Sequence, residues 1–145
     1  MPDFSIYLRP AAIWAPFIIR LVLGIIFMAH GAQKLFGLFG GGGIGGTAQF
    51  LQSLNVPLPV FSAWAVALVE FLGGLFLVIG LFTRIISVLI ILDMVVAIVL
   101  VHGKRGFFAG GGGFEYNLAL IAMALSLVLS GPGAFAVFRS DKWPF

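Results

Sequence analysis

The chain has 145 residues, 61% of them hydrophobic and only 9% charged, with a mean hydropathy of +1.18; soluble domains carry about 25% charged residues, so this is read as one integral membrane domain over residues 1–145. The net charge of +3 comes from Lys and Arg residues scattered without a basic run, which suits membrane-flanking positions and argues against nucleic acid as a partner. Cysteine is absent, which excludes disulfides, thiolate metal sites and thiol redox chemistry from this chain.

Met1 to Pro16 reads as a short lead-in, with Arg9, Pro10, Trp14 and Pro16 suited to a membrane interface. A first membrane helix is expected over about 17–36, roughly the 20 residues a bilayer core requires. Leu21 to Ala29 followed by His30-Gly31 loosely mimics a cleavable signal, but the stretch is read as a retained membrane helix. Within it stand Arg20, His30, Gln33 and Lys34. At about 100° per residue, Arg20, Gly24, Gly31 and Lys34 share one narrow sector, with His30 at its edge. Small residues there admit a neighbouring helix, and the polar ones need partners on it.

Leu38 to Pro59 is too glycine-rich to span, with six glycines between Gly40 and Gly46. Thr47 to Leu54 sets Phe50, Leu51 and Leu54 against Gln49, Gln52 and Ser53, the pattern of a short amphipathic helix at the interface. A second membrane helix is predicted over about 60–82, with Ala63, Ala67, Glu70 and Gly74 along one face. A tight turn at Thr83-Arg84 leads into a third, over about 84–102. Arg84 and His102 share a face of it and Asp93 lies opposite. Lys104 to Gly113 is a second glycine-rich loop. A fourth helix over about 115–130 stops at Gly131-Pro132-Gly133, and Trp143 in the tail is an interfacial anchor. The predicted class is all-α: an integral membrane four-helix bundle with two glycine-rich outer loops and a short interfacial helix.

Four spans put both termini and the Thr83-Arg84 turn on one face, with Arg9, Arg84, Arg139 and Lys142 and, just inside, Arg20; Lys34, Lys104 and Arg105 lie on the other. The positive-inside rule then favours cytoplasmic termini. His30 to Gly43 echoes His102 to Gly113: each runs His-Gly, a basic residue, paired aromatics and four glycines. Either two hairpins related by a pseudo-two-fold axis or glycine-rich coincidence accounts for it.

At ~1.5 Å per residue, Glu70 and Asp93 lie about 15 Å below the outer ends of their helices, His30 about 9 Å and Lys34 about 3 Å, with His102 and Glu115 at the rim. His30, Gln33, Lys34, Glu70, His102, Glu115 and Tyr116 can therefore converge in the outer half. Arg20, Asp93 and Arg84 form a possible inner set, with Arg20 long enough to reach toward a midplane carboxylate. A pocket with an acid, imidazoles, an ammonium and aromatics suits a quinone head group, whose carbonyls want donors and whose redox change wants a proton carrier. Alternatively, these residues pair within the bundle and fix helix register, and Asp93 faces a partner subunit. No metal site is expected from two distant histidines and scattered carboxylates. A haem between His30 and His102 is disfavoured by their different depths, and the glycine runs lack the strand that a dinucleotide fingerprint requires.

Laid out in order, these residues resemble the DoxX family of small four-helix membrane proteins. The resemblance is carried by Arg20-Leu with Leu23-Gly24, His30-Gly31-Ala-Gln-Lys34-Leu-Phe-Gly37, Glu70 with Gly73-Gly74, Gly80-Leu-Phe-Thr-Arg84, and Met94 with Ala97. It continues through Gly106-Phe-Phe108, Gly113 with Glu115-Tyr116, and Gly131-Pro-Gly133. The tail from Ala134 departs from the Ser-Leu-Asp ending common among relatives. The resemblance implies a membrane component of redox systems, because relatives include subunits of a thiosulfate:quinone oxidoreductase and of other membrane oxidoreductase complexes. Lacking cysteine, this chain would need a partner for sulfur chemistry, so quinone contact is what transfers.

The expectation is a multi-pass subunit of an oxidoreductase complex in the cytoplasmic (inner) membrane, surrounded by lipid and by other subunits or its own copies. Glu70 would exchange protons, His30 and Lys34 would bind the quinone oxygens, and Arg20 would set the site's charge, with Gln33, Glu115, Tyr116 and His102 completing it. The competing expectations are a non-catalytic scaffold subunit of a larger membrane complex and, more weakly, a small-solute carrier.

Overall fold

The computed structural model describes residues 5–137, with side chains from Ile13 onward. Among the described residues five α-helices follow one another: α1 (Ser5–Phe36), α2 (Gly43–Ser53), α3 (Pro59–Ile79), α4 (Thr83–Ala97) and α5 (Glu115–Ser130). No strand occurs among the described residues. Ile13–Phe36, Pro59–Ile79 and Thr83–Arg105 are long and apolar enough to cross a membrane, and α5 is a shorter apolar helix. These make a helical membrane bundle, as the composition requires.

Water cannot drive helices together inside lipid, so close packing of small residues does. The α1–α3 crossing shows this directly. A Cβ placed on Gly31 would lie 2.3 Å from the Phe71 backbone nitrogen, and one on Gly24 would lie 2.7 Å from the Gly74 carbonyl oxygen. The two backbones therefore touch without intervening side chains. Helix α1 packs chiefly on α3 and α4 chiefly on α5, with α3–α4 and α1–α5 contacts closing the ring. Leu23, Phe27, Leu77, Ile90 and Leu127 fill its centre. The face of α3 expected to be internal is internal: Ala63 and Ala67 are fully buried and Glu70 nearly so.

Several boundaries differ from the sequence expectation, each for a local reason. Helix α1 begins at Ser5, so the lead-in is itself helical through Pro10 and Pro16. Near Pro16 the Ile13 carbonyl accepts a hydrogen bond from the Ala134 amide of the C-terminal segment, at 3.0 Å. Helix α2 starts inside the glycine run, at Gly43. The tight turn lies at Gly80–Phe82, and Thr83 already opens α4. Gly80 adopts φ 74°, and its amide and that of Leu81 bond back to Leu77 and Phe76, a Schellman ending that glycine makes easily. Helix α4 continues through a π-helical turn at Ile98–His102. Arg139, Lys142 and Trp143 lie outside the described residues.

Candidate functional site

A cavity of about 560 Å³ opens between α1, α2, α3, α4 and α5. Its lining is mostly apolar, but it gathers ionisable groups from four of these helices and the turn after α4. Lys34 comes from the last turns of α1, where it can reach across to α3. Its Nζ donates to Glu70 Oε2 at 2.5 Å, the one ion pair among the described residues. The Glu70 side chain is 5% exposed and that of Lys34 29%, so the carboxylate is the desolvated partner and the ammonium keeps an opening to the cavity.

Asp93 of α4 lines the same cavity. Its carboxyl lies close enough to Glu70 and Lys34 for the charge of each to act on it. Its Oδ2 is buried and receives no hydrogen bond. The trio thus carries two carboxyl groups against one ammonium, an imbalance that low dielectric makes costly until a proton or a ligand donor supplies the difference.

His30, His102 and Tyr116 also line the cavity. His102 Nδ1 lies 2.7 Å from the Gly112 carbonyl oxygen. A carbonyl only accepts, so Nδ1 carries the hydrogen and a neutral ring keeps Nε2 as an acceptor. The π-helical turn explains why His102 and Asp93 share a cavity, although a regular α-helix sets them on opposite faces. Its wider turn lags behind α-helical phase and swings His102 round. Asn117 sits buried at the wall, its Nδ2 3.4 Å from Met94 Sδ. Thr47, Phe50 and Leu51 of α2 roof the space. The amphipathic face read as an interfacial helix therefore closes the cavity on one side.

Three residues expected at the site stand elsewhere. Arg20 is fully buried, yet it turns away from the carboxylates. Its Nη2 donates to the carbonyls of Ala134 and Phe135, both at 3.1 Å, and its guanidinium lies 5.4 Å from the Phe17 ring centre. Arginine satisfies these carbonyls because its fork donates in fixed directions, and the segment after α5 passes within reach while Glu70 already holds Lys34. Gln33 Nε2 donates to the Phe39 carbonyl at 3.3 Å and so holds the first glycine loop. Glu115 Oε1 accepts from the Ala109 amide at 2.6 Å, tying down the second. Arg84 donates to the Val128 carbonyl near the end of α5, so no inner set with Arg20 and Asp93 forms.

Arg20→Met is therefore expected to loosen residues 131–137 without altering the cavity. Two charge-assisted hydrogen bonds contribute about 1.5–3 kcal/mol each, so limited proteolysis is expected to cut this segment at least ten-fold faster. Unchanged cleavage contradicts the assignment.

Asp93 and Asn117 have a readable signal, a polar residue inside an apolar run, but sequence alone does not tell which way Asp93 faces. The π-helical turn has no signal in the residues that form it. No group of three or more metal-ligating side chains occurs among the described residues.

The DoxX family profile matches residues 15–103, more than half of the chain and all of the span that holds Lys34, Glu70 and Asp93. The chain belongs to the DoxX family. Among curated proteins it is 38% identical to "Putative oxidoreductase CatD" of Bacillus subtilis (strain 168), covering 86% of this chain and 88% of that protein. It is 28% identical to "Inner membrane protein YphA" of Escherichia coli (strain K12), over 84% and 86% of the two chains. It is 30% identical to "Uncharacterized membrane protein Rv3486" of Mycobacterium tuberculosis (strain ATCC 25618 / H37Rv), over 83% and 77%. No solved structure matches it. This DoxX protein thus shares more than three quarters of its length with relatives described as membrane proteins and with one named "Putative oxidoreductase".

Proposed function

We propose that this DoxX protein is a quinone-associated membrane subunit of an oxidoreductase complex and that the cavity takes the quinone ring. The observation that carries the reading is the Lys34–Glu70 pair in an apolar cavity that also holds two imidazoles, a phenol and a second carboxyl. A flat ring with oxygens at both ends needs apolar walls for its faces and polar groups for its edges. Lys34 retains donors beyond the one given to Glu70, His30 stands at the cavity's edge, and Glu70 with Asp93 can exchange protons with a ring oxygen. The name "Putative oxidoreductase" carried by one relative agrees with this chemistry.

In this reading the chain crosses the cytoplasmic membrane four times. The α3–α4 turn, with Arg84 nearby, and both termini face the cytoplasm, while Lys34, Lys104 and Arg105 lie at the outer side. Electron donor and acceptor belong to partner subunits.

Glu70→Gln and His30→Ala are expected to weaken ring binding by roughly ten-fold or more, the loss that follows from leaving a buried polar group unpaired. Titration of a soluble quinone analogue into the protein in lipid nanodiscs measures this. Saturable binding that neither substitution alters overturns the reading and favours a scaffold whose polar residues serve only the bundle.

A further inference from the structure

The rim of the cavity has two edges of different chemistry. His30 of α1 and Tyr116 of α5 line the cavity and are exposed, so they mark a polar edge. A second edge is formed by Phe50 and Leu54 of α2, Val66 of α3, and Val96 and Leu100 of α4, none with a polar side chain. Helix α2 packs on α3 and α1. Phe50 is 47% exposed and Val96 52%. A side chain that lines a cavity and is also half exposed stands at an opening, so this one lies between α2 and α4.

Depth places this opening in hydrocarbon. At ~1.5 Å per residue, Val66 lies about 10 Å along α3 from its outer end at Pro59, and Val96 about 9 Å below His102. Both fall within an apolar bilayer core of about 30 Å. Glu70 follows Val66 by four residues and Asp93 precedes Val96 by three, so the carboxyl groups lie about one helical turn deeper. The volume points the same way. An engineered apolar cavity of about 150 Å³ holds a benzene ring, and this one has about 560 Å³, so a ring leaves most of it for another part of the ligand.

We infer that the gap bounded by Phe50, Val66 and Val96 is a lateral portal, through which the ring enters from the outer leaflet and in which its hydrocarbon tail stays. This rests on the reading of the cavity as a ring site and adds the class of ligand, a bilayer-resident ring with an aliphatic tail, and its route. Lipid chains are as apolar as the portal's side chains, so a tail passes from bilayer to portal at little cost. Leaving past His30 and Tyr116 instead would press hydrocarbon against an imidazole and a phenol that need hydrogen-bond partners.

The test uses a trimethylbenzoquinone whose decyl tail ends in a diazirine, photolysed with the full chain in lipid nanodiscs and mapped by mass spectrometry. Label on Phe50, Val66, Val96 or Leu100, displaced by excess tail-less duroquinone, is the expected result. Label on His30 or Tyr116 overturns the portal and leaves the ring site standing. Label at the portal that decanol displaces and duroquinone does not overturns the ring reading and keeps a hydrocarbon site there. Label spread evenly over lipid-facing positions overturns both.

Val66→Trp and Val96→Trp together fill the gap. They are expected to weaken binding of the tailed ring about ten-fold or more and that of duroquinone less than about two-fold, each corrected with empty nanodiscs. Ile25→Trp, on an exposed position of α1 outside the cavity, is the matched control and is expected to alter neither. Equal losses for the two rings, or no loss for either, overturn the portal. The labelling of the unaltered protein decides the matter even if the double variant fails to fold.

Discussion

Lys34→Met is expected to destabilise the folded protein by about 3 kcal/mol, the low end of the range for breaking a buried ion pair because the lysine is partly exposed. The cost arises at Glu70, whose nearly buried side chain is left as an uncompensated charge beside a second carboxyl. Adding Glu70→Gln to the same chain is expected to recover most of the loss, since the amide is neutral and can donate to Asp93. A double-mutant cycle in detergent, followed by chemical or thermal unfolding, isolates the coupling. Additive effects of the two substitutions contradict the pairing.

Gly31→Leu is expected to have an effect at least as large, and through packing alone. Its first side-chain carbon falls 2.3 Å from one Phe71 backbone atom and 2.5 Å from another, and backbone cannot rotate aside as a side chain can. Helices α1 and α3 must separate, which pulls Lys34 off Glu70 and opens the cavity. Overpacking a tight site costs about 1–3 kcal/mol and more where backbone must move, so little folded protein is expected in the membrane fraction. Gly45→Ala is the matched control. That glycine lies within α2 with nothing near its would-be Cβ, and alanine in a helix is favoured by about 0.8–1 kcal/mol. A modest rise in unfolding temperature is expected there. Normal accumulation of Gly31→Leu contradicts the close crossing.

Much of this arrangement is legible in the residues. A carboxylate amid Val-Ala-Leu-Val and Phe-Leu-Gly-Gly has no reason to face lipid, and Lys34 shares a helix sector with glycines that demand a close neighbour. These two constraints turn both residues inward, but a depth count of about 3 Å for Lys34 against about 15 Å for Glu70 does not foresee their contact, which the length of the lysine side chain makes possible. Arg20 satisfies the same rule differently. Burial of a guanidinium requires acceptors but does not specify carboxylates, and the carbonyls of Ala134 and Phe135 come from a segment with no periodic pattern to place it. Gln33 and Glu115 are polar for the sake of their own loops, a local use that resembles a site residue in sequence. The facing of Asp93 relative to His102 depends on the wide turn at Ile98–His102, where the apolar run from Ile98 to Val101 reads as ordinary helix.

Photoaffinity labelling tests the central claim, that the polar interior receives an aromatic redox ring, most directly. An azido-quinone is photolysed in membranes containing the protein, and the modified positions are mapped by mass spectrometry with and without excess unlabelled quinol. Label confined to cavity residues such as His30, Phe50, Met94 and Tyr116, and displaced by the competitor, is the predicted result. Label spread over lipid-facing positions such as Val22, Ile25 and Leu92, indifferent to competitor, would contradict it.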